Sequence, residues 1–139
     1  MISKKVVKLL NDQIKMEDES SAIYLAMAAW AEASRFRGTA AFMFKQAEEE
    51  RSHMHKIIRF LLEVGEQPVI AGFKDPSNSY KDILDAFETA LAHEKKVTAS
   101  IHNIDCRCQT RIAVAARKLE VIKADVAVAL SLSLTHMSL

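Results

Sequence analysis

Glycine and proline, the residues that interrupt helices, are almost confined to one short stretch of this chain. Gly65, Pro68, Gly72 and Pro76 follow one another closely, and Gly38 is the only other member of either type. On both sides lie runs rich in Ala, Leu, Lys and Glu that nothing would stop from forming long helices. The pattern predicts four segments. The first covers residues 4–33, and the second follows Gly38 and runs to Val64, with Gly65 as its stop. A third begins near Ser79, a candidate N-cap with Asp82 three positions on, and reaches residue 104. A fourth, over residues 112–129, has the weakest pattern.

The interrupted stretch limits how these helices can be connected. A helix of about 25 residues is roughly 38 Å long at about 1.5 Å per residue. The thirteen residues 66–78, extended at about 3.3–3.6 Å each, reach roughly 43–47 Å. That is enough to return along a bundle, so helices two and three can lie parallel. The turn at residues 34–38 allows only an antiparallel pair. The expected fold is all-α, two hairpins joined by one long crossover.

Acidic residues stand where this bundle should be apolar. Steps of three and four give Leu10, Ile14, Glu17, Ser21, Tyr24 and Ala28 in the first helix. The second gives Met43, Ala47, Glu50, then His53, Met54, Ile57 and Leu61, and the third gives Ile83, Phe87, Ala90, Glu94, Val97 and Ile101. A Glu thus falls within each inward stripe. Three carboxylates in one interior would pay for desolvation and repel one another. A bound cation removes both costs, and carboxylates with one imidazole suit iron or manganese, with zinc an alternative. The other reading rotates each helix so that its Glu faces water.

Bulk properties set aside several classes. The 139 residues suit a single domain, and the net charge of +1 offers nucleic acid or a membrane surface no electrostatic footprint. No stretch is long and apolar enough to span a bilayer, and the N-terminus lacks the apolar core of a signal peptide. Two cysteines make no disulfide framework. A soluble cytoplasmic protein is expected.

Several runs together carry a specific likeness. The run from Lys4 to Ile14, then Glu17, Ser20-Ser21 and Tyr24-Leu25-Ala26-Met27, closely resembles bacterial non-haem ferritins. So do Ala47-Glu48-Glu49-Glu50 with His53, and His93-Glu94. The likeness covers residues 1–104; residues 105–139 form a divergent C-terminal segment of the same domain. It implies a ferritin-like four-helix bundle with an atypical fourth helix. It also implies a diiron centre in which Glu17, Glu50 and His53 hold one iron, and Glu50 bridges to a second held by Glu94. Tyr24 matches the family's tyrosine beside the centre, although periodicity alone fits an ordinary core tyrosine equally. Glu49 matches an accessory iron site, against the commoner reading of a solvated Glu. The implied activity is iron storage with ferroxidase chemistry, O2 or H2O2 oxidising Fe(II), in a homo-oligomeric cage of 24 subunits. Haem is not expected, because Glu50-Arg51-Ser52-His53 lacks the methionine that ligates haem in bacterioferritins.

After residue 104 the likeness stops. The family's fourth helix supplies Gln or Glu with a Glu three residues on, whereas Glu120 has no acidic or amide partner at that spacing and Gln109 pairs with Ile112. Five basic residues against one acidic fill residues 107–123, and residues 129–136 alternate like a strand. A shifted reading frame or a replaced C-terminus would produce such a change. Cys106-Arg107-Cys108 reads as incidental thiols, the basic run as a solvated face, and Trp30 as packing. His55, His93, His102 and His136 read mainly as surface residues. Two other functions stay open: a structural or vestigial helical subunit without a competent centre, and a different di-metal carboxylate enzyme. The second rival lacks the two Glu-x-x-His motifs it would need.

Overall fold

A computed structural model describes residues 2–105. Among them are three helices: α1 (Lys4–Ala33), α2 (Arg37–Glu63) and α3 (Ile83–Asp105). The fourth segment, the cysteine pair, the basic run, Gln109, Glu120 and His136 lie outside the described residues.

Each boundary has a local cause. Ser3 caps α1, its Oγ accepting from Val6 N–H at 3.3 Å. Both α1 and α2 end in the same device, a residue at positive φ that lets two amides fold back on the last turn. At α2 it is Gly65, φ 83°, whose N–H donates to the Leu62 carbonyl while Glu66 N–H donates to Leu61. At α1 the position is taken by Arg35, φ 68°, with Arg35 N–H on Glu32 and Phe36 N–H on Ala31. The short turn that follows makes α1 and α2 antiparallel, as expected.

The third helix begins later than the sequence pattern predicts. Ser79 does not cap it, because its N–H and carbonyl are engaged by the Ser77 hydroxyl in a local turn. Asp82 takes the role: its Oδ1 accepts from Asp85 N–H at 2.9 Å, while the Asp85 carboxylate accepts from Lys81 N–H at 3.0 Å. The second helix starts at Arg37, one residue ahead of Gly38.

Two apolar clusters give the helix directions. Val6, Leu10 and Ile14 of α1 pack with Met54 and Leu61 of α2 and Val97, Ile101 and Ile104 of α3. Tyr24, Met27 and Ala28 pack with Met43 and Ala47 of α2 and Phe87 and Ala90 of α3. Early α1 therefore meets late α2 and late α3, so α2 and α3 run parallel to each other and antiparallel to α1. The segment between them makes the long crossover the sequence implies, tied down where Val69 N–H donates to Asn11 Oδ1 at 2.8 Å. Trp30 packs against Phe36 and Tyr80, with ring centroids 6.1 and 5.3 Å away.

Candidate metal centre

Between the two apolar clusters lies a layer of buried polar side chains. On α1, successive inward positions carry Gln13, Glu17, Ser20, Ser21 and Tyr24; α2 adds Gln46, Glu50 and His53, and α3 adds Glu94. Glu17 and Glu94 are 0 % exposed, Glu50 1 % and His53 4 %, which discards the reading in which these helices turn their carboxylates to water. The helix registers that place Ile14 and Leu10 inside also carry Glu17 there, because steps of three and four keep to one face.

Glu17, Glu50 and His53 converge: each offers one ligand atom, and the three atoms lie within 4.8 Å of one another. His53 Nδ1 is 3.7 Å from Glu17 Oε2 and 3.8 Å from Glu50 Oε1. These separations are too long for hydrogen bonds. They match the spacing of donors that share one ion, roughly 3–4 Å when each bond is about 2.0–2.2 Å. Nδ1 is buried and has no hydrogen-bond partner among the described residues, an arrangement that costs about 1–3 kcal/mol unless something else occupies the nitrogen. Burial pushes the imidazole pKa down, but the two carboxylates outweigh it and hold the pKa above its ordinary value. The donor set, two carboxylate oxygens and an imidazole, fits iron, manganese or zinc.

Glu94, also buried in this layer, is held by Tyr24, whose hydroxyl donates to Glu94 Oε1 at 2.6 Å. Burial, then the Glu94 charge and this bond, raise the phenol pKa far above its ordinary value. The tyrosine therefore stays protonated and acts as a donor. One residue earlier, His93 Nε2 lies 2.6 Å from Ser20 Oγ, and that hydroxyl also donates to the Met16 carbonyl at 2.9 Å. With its proton so committed, Ser20 accepts from the imidazole. A third link, Ser21 Oγ to the Ala47 carbonyl at 2.9 Å, joins α1 to α2. Glu49 stands apart from the triad: it is half-buried, with Lys45 Nζ at 3.7 Å and Gln46 Nε2 donating at 3.2 Å. His55 and His102 are exposed.

Residues 7–111 match the family model described as the ferritin-like domain. The chain belongs to the ferritin family. The probable bacterial non-heme ferritin-like protein of Haemophilus influenzae is 42 % identical over 104 residues, 75 % of this chain and 63 % of the relative. The bacterial non-heme ferritin of Campylobacter jejuni is 38 % identical over 104 residues, 75 % of this chain and 62 % of its own. The chain thus spans somewhat less than two thirds of these relatives. Among solved structures, Chlorobium tepidum ferritin superposes with a TM-score of 0.89 at 27 % identity, covering 97 % of this chain and 85 % of its own. The open-pore ferritin of Archaeoglobus fulgidus gives 0.91 at 25 % identity, with the same coverages of 97 % and 85 %. A second family model, described as an uncharacterized protein containing a ferredoxin domain, matches residues 89–139. The change of character after residue 104 falls within residues 89–111, which both family models match.

Two features of this ferritin layer escaped the sequence reading. Gln13 is 1 % exposed and donates its amide to Glu17 Oε1 at 2.6 Å. Its signal was available, since it stands one helical turn before Glu17 on the same face. His93, read as a surface residue, is half-buried and bonded to α1, and its neighbourhood to Glu94 in sequence carries no hint of that bond.

Proposed function

We propose that this chain is an iron-storage subunit whose buried polar layer binds Fe(II) and promotes its oxidation. The observation that carries the reading is the convergence of Glu17, Glu50 and His53 in the buried interior of the bundle. In this reading Glu17, Glu50 and His53 hold one iron, Glu50 reaches toward a second, and Glu94 serves that second iron. Anionic oxygen donors favour Fe(III) over Fe(II), so binding itself makes electron loss easier. Two Fe(II) give up one electron each, and O2 accepts both with two protons to become H2O2; peroxide is an alternative acceptor. The neutral Tyr24 donates to Glu94 and fixes that carboxylate's orientation. Only the neutral imidazole of His53 can bind metal, so affinity rises with pH as its proton leaves. Glu49, half-buried and apart from the triad, belongs in this reading to an accessory iron site. A ferritin-type homo-oligomer, a cage of 24 subunits around a mineral core, in the cytoplasm, goes with this reading. No helix among the described residues is long and apolar enough to cross a membrane. The whole chain forms one domain in this account.

Stopped-flow absorbance after Fe(II) is mixed with the protein in air tests the proposal. Rapid growth of Fe(III) absorbance, well above the protein-free rate, is expected. A second reading, a helical subunit without a competent centre, is favoured by one observation: after Glu94 the sequence holds only Asp105, Glu120 and Asp125 as acidic residues, none at the spacing of a fourth-helix ligand pair. A rate equal to that of a Glu17→Ala, Glu50→Ala double variant would support that reading instead.

A further inference from the structure

The carboxylate of Glu17 has its two oxygens committed in different directions. Oε1 takes the Gln13 amide proton at 2.6 Å, and Oε2 faces His53 Nδ1 at 3.7 Å. The partner of an ionised carboxylate must be the NH2 end of Gln13, since its carbonyl oxygen would be repelled. We propose that Gln13 is a positioning residue of the metal centre: it holds Oε1 so that Glu17 presents a single oxygen, Oε2, to the ion. The inference rests on the metal-centre reading of Glu17, Glu50 and His53.

Stability gives little reason for an amide at this position. Gln13 is 1 % exposed, and its own carbonyl oxygen is buried with no hydrogen-bond partner among the described residues. A buried acceptor left without a donor is destabilising, whereas an apolar side chain of similar length would carry no such cost. The position lies beside Ile14 and one turn from Leu10, next to an apolar cluster that would accept a methionine. What the amide contributes is the bond to Glu17. A hydrogen bond to one oxygen of a ligating carboxylate fixes its rotamer and disfavours bidentate binding, as outer-shell partners do at other metal sites.

This separates a positioning role from a packing role. Co(II), whose visible absorption reports coordination number and geometry, is titrated anaerobically into the full chain, and the metal-free melting temperature is measured alongside. For Gln13→Met, binding should weaken about 10–100-fold and the absorption envelope should change, while the metal-free protein melts no lower than wild type. Gln13→Asn, which keeps the amide but shortens its reach, should behave the same way. Wild-type affinity and spectrum in either variant would overturn the proposal. If Gln13→Met does not fold, the Asn variant decides alone. Loss of Co(II) binding in Glu17→Ala together with unchanged binding in the Gln13 variants removes only the Gln13 assignment. A wild-type chain that titrates like Glu17→Ala overturns the metal-centre reading and this inference with it.

Discussion

The apolar clusters and the polar layer between them are built by the same three helices at the same register, yet their energetics point in opposite directions. Leu61, Ile14 and Ile101 are each 0–1 % exposed and surrounded by hydrocarbon, so each contributes about 1.5–3 kcal/mol to folding by leaving water. Glu17, Glu50 and Glu94 are just as deeply buried, and every one had to give up its hydration. A bundle selected for stability alone would extend the clusters through the layer. The interruption sets the two regions apart: two apolar plugs bracket a set of buried polar groups that would otherwise not stay together.

Substitutions in the two regions should therefore fail in different ways. The largest effect is expected for Glu50→Ala, which removes the proposed bridging ligand. Fe(II) oxidation in stopped flow should slow by roughly a hundredfold or more, past the range seen for outer-shell partners, while the exposed Glu63→Ala changes little. Equal rates for wild type and Glu50→Ala would place the chemistry elsewhere. Next comes Leu61→Ala in the plug. It should cost about 2–5 kcal/mol in urea unfolding yet leave oxidation near wild type at temperatures where the variant is folded. A selective loss of activity there would erase the distinction drawn above.

A smaller effect concerns pH. The imidazole of His53 has a folded-state pKa raised by Glu17 and Glu50 against the opposing pull of burial. A raised pKa means the folded state binds the proton more tightly than the unfolded chain. The resulting stability is complete below the unfolded value of about 6.5 and is lost as pH climbs through the folded one. The metal-free protein should lose stability across that rise, and His53→Asn should flatten this part of the profile. Metal affinity should change the other way, increasing with pH as the proton leaves. A metal-free profile that rises over the same window would show that burial dominates the imidazole instead.

The smallest effect lies outside both regions, at the end of α1. Arg35 sits at φ 68° in a turn that Gly65, at φ 83°, makes at the end of α2. Replacing Arg35 with Gly removes a left-handed strain of about 1–2 kcal/mol, offset in part by the greater freedom of glycine when unfolded. A net gain of about 1 kcal/mol in thermal unfolding, without change in oxidation, is expected. Destabilisation would mean that the Arg35 side chain contributes more than its backbone costs.

How much of this was legible beforehand follows from which forces act locally. The inward register of Glu17, Glu50 and Glu94 is a matter of helical period, so the sequence displays it directly. The crossover was legible because Pro68 and Pro76 forbid a helix there. The start of α3 was misjudged because Ser79 and Asp82 are both good caps, and only the turn bonds of Ser77 exclude the first. Arg35 was invisible as a helix stop, since the positive φ is imposed by chain reversal and not by residue type. For Gln13 the shared face with Glu17 was visible, but the oxygen of Glu17 that its amide engages was not. The Ser20–His93 bond spans 73 positions, and no local pattern encodes it.

The central claim is that the polar layer is a cation site, and anomalous scattering tests it most directly. Crystals grown anaerobically with Fe(II) would be measured on both sides of the iron absorption edge. The account predicts a difference peak enclosed by Glu17, Glu50 and His53, with a weaker second peak toward Glu94. Iron bound only at surface carboxylates, with nothing between those three side chains, would contradict it.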